Sequence, residues 1–550
     1  MTRSLWSALT AASWLLLALV GGSAPSSGIA ASAAAPEPPS GGALPIALTP
    51  TVTRPPSPDL LALGKRLYDA QCAVCHGPDG RGDGEAAYLL YPKPRDFTAG
   101  RFALVSTWER VPSDEDLYRT ISRGMPGSAM PSWGHLSEDE RWGLVHHVKT
   151  FVPQAWEIPA TTDPKEGGAG KGVIRVPPAP PFTPEARARA LELYADACAS
   201  CHGKTGRGDG TEDQKDDKGY PTRPRDLTLG VFKGNPEAGD LYRRIVAGMP
   251  GTPMPMSDWA YGSDAWHLVH LVRSWSSDEQ RARAEMRRFR IVARRVDRVP
   301  DHPDDGAWRL AQPVNLHLMP LWWRTDRPEE LTVRALHDGR QLGLLLVWAD
   351  ASHDHTALRP QDFRDAAAVE FSLTPDPPFF GMGARGRFVN IWMWKSERQA
   401  DLEPAFQDVE KVYPNLGIDS YPNVLVSPME QPTRHSLTLR SDPTFVTGWG
   451  AGNIVSDPMR DSAAEDLTAQ GVGTLRARPR ADQAVQARGL YGTGTYRVVF
   501  RRALQGQGEQ AVTLVPGHTV PISFAVWNGS AGDRDGKKSV TIWQDLVLGP

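Results

Sequence analysis

Cys72, Cys75 and His76 stand in the order Cys-x-x-Cys-His, and Cys198, Cys201 and His202 repeat it. Thiols at i and i+3 can each bond one vinyl group of a haem, and the adjoining imidazole then sits beneath the iron as its proximal ligand. The competing chemistries for such a pair are half of a zinc site or a disulfide. The chain has four cysteines in all, and the haem reading uses every one of them. Two covalent haem c groups are therefore expected, attached through Cys72, Cys75, Cys198 and Cys201, with His76 and His202 on the irons.

The opposite axial position decides whether such an iron carries electrons or does bond-making chemistry. A thioether there favours ferrous iron, raises the potential and closes the site. Met125 and Met130 are available after the first motif, and Met249, Met254 and Met256 after the second. His146 and His270 occupy equivalent positions and offer bis-histidine ligation as the weaker option, while His135, His147 and His267 lack partners of this kind.

These residues lie in two segments that are copies of each other. Tyr68 and Tyr194 each precede the first motif cysteine by four residues, and Arg-Gly-Asp-Gly recurs at 81–84 and 207–210. Pro-Arg-Asp (94–96, 224–226), Asp-Leu-Tyr-Arg (116–119, 240–243) and Gly-Met-Pro-Gly (124–127, 248–251) follow in the same order, at an offset of 124 to 130 residues. Such self-similarity marks a tandem duplication. Apolar spacing predicts a helix from about residue 60 into the first cysteine motif and a closing helix over 138–151 capped by Ser137, with counterparts at 185–197 and 263–275. Both copies resemble the class I cytochrome c family, in which the ligand methionine precedes a proline on a loop before the last helix. That resemblance implies Met130, within Ala129-Met130-Pro131-Ser132-Trp133, and Met254, within Pro253-Met254-Pro255, as sixth ligands.

After residue 300 the texture changes to alternating strand-like runs. Residues 331–337 and 342–348 flank Asp338-Gly339, a hairpin signal, and further runs lie at 367–373, 388–394, 496–500, 522–527 and 540–543. This pattern predicts a β-sandwich, and the basic stretch 281–298 reads as a connecting helix or strand with a solvated face. Residues 305–548 resemble the haem-binding domain of the ethylbenzene dehydrogenase family, found in gamma subunits of molybdenum enzymes of the dimethyl sulfoxide reductase class. The resemblance is carried by 333–339, by Trp348-Ala349-Asp350, by 363–369, by Phe380-Gly381-Met382-Gly383, by 390–395 and by 524–543. It implies a non-covalent haem b held between Met382 and Lys538, with the adjacent Lys537 as the alternative. An amine can ligate iron only when neutral, so such a lysine must lose its proton well below its ordinary range.

The first 35 residues read as an export signal or N-terminal anchor: Arg3, an apolar run over 5–20, then small residues. The expected organisation is a Pro/Ser/Gly-rich leader at 36–58, cytochrome c domains at 59–153 and 184–277, and a Pro/Gly-rich linker at 154–183 between them. A connector at 278–304 and the β domain at 305–550 complete it. The fold class is thus multidomain, two all-α units followed by a mostly β one. At 550 residues, 23% charged and with a net charge of −3, nothing in the composition calls for a nucleic acid partner.

These features together imply an exported electron-transfer subunit, periplasmic or otherwise extracytoplasmic, without catalysis of its own. Its partners would be molybdenum catalytic and iron–sulfur subunits on one side and a cytochrome or the quinol pool on the other, with membrane association through an uncleaved N-terminal segment. Two other classes compete: a di-haem peroxidase with one open iron, and a di-haem cytochrome fused to a small-molecule-binding β-sandwich.

Overall fold

Capping residues and prolines set where the helices of this chain begin. In a computed structural model the described residues are 47–152, 156–162, 170–378, 381–402, 412–413, 415 and 460–550. The expected signal segment, the start of the leader, part of the 154–183 linker and Phe380 lie outside them. α1 (Pro58–Leu67) starts on Ser57, whose hydroxyl accepts from the Leu60 amide, with Pro58 in the first turn where no amide hydrogen is needed. A π-turn over Tyr68–Cys72 leads into the short α2 (Ala73–His76), so the first thiols and imidazole follow directly from α1. α3 (Asp114–Arg123) and α4 (Glu138–Lys149) both open on reciprocal capping boxes, Ser113 with Asp116 and Ser137 with Glu140.

The second copy repeats this order as α5 (Pro184–Ala197), α6 (Ala199–His202), α7 (Ala238–Ala247) and α8 (Asp264–Ser274). α1 crosses α4 at two glycines. A Cβ on Gly64 would lie 1.9 Å from the Gly143 carbonyl oxygen, and one on Gly143 would lie 2.9 Å from that of Leu60. Only hydrogen fits at that crossing.

The segment read as a connector is two structural elements. α9 (Asp278–Arg283) is followed by β1 (Arg290–Arg295), whose Ile291 and Ala293 are buried. β1 keeps a solvated charged face in Arg294 and Arg295 and buries its other face. It pairs in parallel with both β4 (Glu330–His337) and β14 (Gln544–Leu548) and so joins two sets of strands. Alternate residues of this strand point inward.

One set runs β10 (Gln486–Gly492), β11 (Thr495–Ala503), β5 (Gln341–Ala349), β4, with β2 (Val314–His317) paired to β4. The other runs from β14 through β12 (Thr519–Trp527), β6 (Ala366–Ser372), β7 (Val389–Lys395) and β8 (Ala464–Ala469) to β9 (Arg476–Ala477). β3 (Met319–Pro320) and β13 (Ser539–Val540) pair beside β12, and α10 (Ser396–Leu402) follows β7. The hairpin expected at Asp338-Gly339 joins β4 to β5, and Gly339 has φ +83°. Leu331, Val333, Leu344 and Leu346 from the first set share a core with Val369, Phe371, Trp392 and Phe524 from the second. The N-terminal half is therefore helical and the C-terminal region mostly β. Among the described residues no helix is long and apolar enough to cross a membrane.

Candidate metal centres

The His76 ring hydrogen-bonds through Nδ1 to the Arg95 carbonyl at 3.0 Å and stacks on Phe97 at 4.5 Å. A carbonyl can only accept, so Nδ1 carries the proton and the Nε2 lone pair is left for a metal. Burial pushes the imidazole down to about 4, which keeps it neutral and able to ligate. The Tyr68 hydroxyl donates to the Gly77 carbonyl at 2.7 Å, and the Gly82 amide donates to the His76 carbonyl at 2.8 Å, so the motif is tied at both ends.

Cys72, Cys75 and His76 wall a cavity of about 180 Å³ together with Phe97, Phe102 and Leu117, and both Met125 and Met130 reach it. Burial drives the Cys72 and Cys75 thiols up to about 12, and both are unpaired.

The second copy repeats the frame around a cavity of about 540 Å³, within the range of small-molecule sites. Cys198, Cys201, His202, Met249, Met254 and Met256 all line it. The Tyr194 hydroxyl donates to the Gly203 carbonyl at 2.8 Å and the Gly208 amide to the His202 carbonyl at 2.9 Å. One difference stands out: the buried His202 Nδ1 has no hydrogen-bond partner among the described residues. In each copy the Gly-Met-Pro-Gly turn folds back on the Met-Pro loop. The Met125 amide donates to the Met130 carbonyl at 3.0 Å, and that of Met249 to Met254 at 3.1 Å.

His146 and His270 point away from the cavities. Nε2 of His146 bonds the Arg54 carbonyl at 2.8 Å and that of His270 the Pro180 carbonyl at 3.1 Å. With the indoles of Trp142 and Trp266, which donate to the Val52 and Pro177 carbonyls, they pin the chain leading into each copy. Neither histidine lines its cavity, whereas the methionines do.

The third cavity, about 700 Å³, lies in the β region and brings Met382 and Lys538 together. Lys538 Nζ is 3.8 Å from Met382 Sδ although 156 residues separate them in sequence. β13 and the turn before it carry the lysine, and a loop ahead of β7 carries the methionine. Met382 sits at φ +67° between Gly381 and Gly383, and its amide donates to Glu370 Oε1 at 2.8 Å. Burial lowers the Lys538 ammonium and raises the Glu370 carboxyl, each charge partly offsetting the other. Lys537 lies over the Trp322 ring instead and does not line this cavity.

The donor sets fit iron porphyrins: an imidazole held neutral by burial with thioethers lining the same cavity, paired thiols at the right spacing, and an amine 3.8 Å from a thioether between apolar walls. Bound there, such a group would supply one-electron transfer through its iron. Among the described residues no group of three or more His, Cys, Asp or Glu side chains gathers as an alternative metal site.

Sequence reasoning missed how the cavities meet. Cys75 walls both the first cavity and the β-region cavity, which Val74, Tyr88, Leu89 and Leu90 of the first copy also line. Lys233 walls both the first and the second cavity. Its signal was a break in the repeat: the equivalent position in the first copy is Ala103.

Comparison with known proteins agrees with this division. Residues 59–148 match the family model of cytochrome c oxidase, cbb3-type, subunit III, residues 188–276 match cytochrome c, and residues 307–539 match ethylbenzene dehydrogenase. The chain is accordingly a cytochrome of composite build, with cytochrome c domains, hence covalent haem c, in its N-terminal half. Its C-terminal region is a domain of the ethylbenzene dehydrogenase family. It is 27% identical to the dimethylsulfide dehydrogenase subunit gamma of Rhodovulum sulfidophilum, over 44% of this chain and 74% of that one. It is 23% identical to the chlorate reductase subunit gamma of Ideonella dechloratans, over 44% and 77% respectively. A chain of the Kuenenia stuttgartiensis reducing HAO-like protein complex is 34% identical, covering 42% of this chain and 100% of that one, with a TM-score of 0.35.

Proposed function

We propose that this chain is an exported electron-transfer subunit holding two covalent haem c groups and one haem b. It would relay electrons between a molybdenum and iron–sulfur oxidoreductase of the dimethyl sulfoxide reductase class and the respiratory chain. The observation that carries this reading is the convergence of Met382 on Lys538 at 3.8 Å in a cavity whose wall includes Cys75 of the first haem c motif. The gamma subunits it resembles belong, by name, to a dimethylsulfide dehydrogenase and a chlorate reductase, which motivates the choice of partner.

In this reading the domains run 59–153, 184–277 and 305–550, the last with its two strand sets as the layers of a sandwich. Cys72, Cys75, His76 and Met130 hold the first centre, Cys198, Cys201, His202 and Met254 the second, and Met382 with Lys538 the third. The residues act by holding, not by reacting. The Arg95 carbonyl fixes the His76 tautomer, burial pushes the Lys538 ammonium towards the neutral amine that could ligate, and Met130, Met254 and Met382 would each supply a second ligand to an iron and so keep substrate off it.

Pyridine haemochrome analysis before and after acid–acetone extraction tests the assignment. Two haems should stay with the protein and one should be extracted. Only two haems, both covalent, would make the β region a binding module instead. Carbon monoxide binding at a reduced centre without added denaturant would point to an open iron and a peroxidase.

A further inference from the structure

The two cytochrome c copies meet through reciprocal contacts. A Cβ on Gly251 would fall 2.7 Å from Arg95 Nη1, and one on Gly127 would fall 3.1 Å from the Arg225 guanidinium. Arg95 and Arg225 are equivalent in the repeat, as are Gly127 and Gly251, so each copy extends its arginine over the Met-Pro-Gly turn of the other. Lys233 breaks this equivalence, standing where the first copy has Ala103, just after the equivalent buried residues Phe102 and Phe232.

The Lys233 side chain lies in the wall of both cavities and makes no hydrogen bond or ion pair to any described residue. The charged groups around it are the cations Arg225, Arg95 and Arg244 and the carboxylate of Asp216. Arg225 leaves Nε and one terminal nitrogen buried without a partner. Burial, reinforced by these three guanidinium groups, pushes the Lys233 ammonium down to about 7. Lys233 is half-buried and faces the cavities, and a cation in such a low-dielectric wall is retained at little cost only where an anion completes it. Arg95 is already paired with Asp217 at 3.9 Å, but Lys233 and the orphaned Arg225 nitrogens leave an excess of positive charge where the two cavities meet, which calls for a further carboxylate.

We infer that the Lys233 ammonium, with Arg225 beside it, binds a porphyrin propionate at the wall between the two haem c sites and couples their reduction potentials. This rests on the haem c reading of both motifs and goes beyond it by naming a positioning residue that touches neither iron. A positive charge at this wall favours the reduced form of whichever centre it adjoins, since reduction adds an electron near it. The asymmetry Ala103 against Lys233 makes the two sites unequal although their ligand frames match.

Potentiometric titration of the full chain, followed optically, tests this with three variants. Lys233→Ala installs the residue that the first copy already has, and Lys233→Met keeps length while dropping charge. Both should keep two covalent haems by pyridine haemochrome and lower at least one haem c potential. A tenfold change in the oxidised-to-reduced ratio is expected, about 59 mV for a one-electron couple. Lys233→Arg should restore the wild-type value. Unchanged potentials in Lys233→Met with haem content intact would overturn the inference while leaving the haem reading in place. Loss of covalent haem from the wild-type protein would instead remove the reading on which it stands.

Discussion

Met382 occupies the left-handed region of backbone space at φ +67°, a conformation that costs a non-glycine residue about 1 kcal/mol. Gly383 follows it because a Cβ there would lie 2.7 Å from the Arg387 carbonyl oxygen. The turn thereby aims the thioether at Lys538. Replacing Lys538 by Ala should remove the extractable haem and leave both covalent ones, whereas Lys537→Ala should keep all three; haem extraction followed by absorbance reads the difference. In the first copy Met130→Ala should turn the ferric centre high-spin and let its reduced form bind carbon monoxide, and Met125→Ala should not. Electron paramagnetic resonance separates the two. The cysteine and histidine positions were legible as motifs, and Met382 and Lys538 as family resemblance. Lys233 was not, because its meaning depends on how two copies face each other, which spacing within one copy does not encode.

Secondary elements were easier to read where local chemistry alone decides them. Ser57, Ser137 and Thr183 cap helices that begin where the sequence predicts, and the strands at 331–337 and 342–348 appear as β4 and β5. The basic stretch 281–298, read as a helix or strand, holds the end of α9 and all of β1, but the pairing of β1 with β4 and β14 was not legible because it is non-local. The crossing of α1 on α4 gives a direct test. Gly64→Ala would force a methyl group onto the Gly143 carbonyl and should destabilise the first copy by about 1–3 kcal/mol in denaturant unfolding, the usual range for overpacking.

A second element-scale test concerns Asp365, buried at the start of β6 and accepting from the Tyr496 hydroxyl at 2.6 Å. Burial and the nearby Asp350 carboxylate raise its pKa to about 7, above the unfolded value of about 3.9. Between those values the folded state binds more protons than the unfolded one, so stability falls as pH rises through the window. Thermal unfolding from about pH 5 to about pH 8 should show that slope, and Asp365→Asn should flatten it.

At the scale of the molecule, shared walls impose an order. Cys75 joins the β-region cavity to the first cytochrome cavity, and Lys233 joins the first to the second, so the first copy stands in the middle. Replacing both Cys72 and Cys75 by Ser should therefore leave the end centres present but disconnected. In stopped-flow reduction from the β-region side, the second haem c should be reduced more than tenfold slower than in the wild type. If its rate were unaffected, the linear order would be wrong.

Cys75 is 9% exposed and packs in a cluster with Met319, Leu321, Ala366 and Trp527 of the β region. A haem thioether on Cys75 would therefore lie against the strands as well as in the first cavity. On the proposed haem reading, attachment at Cys75 is expected to precede docking of the strands, so supplying haem only after the chain has folded should lower covalent haem in the first copy more than in the second.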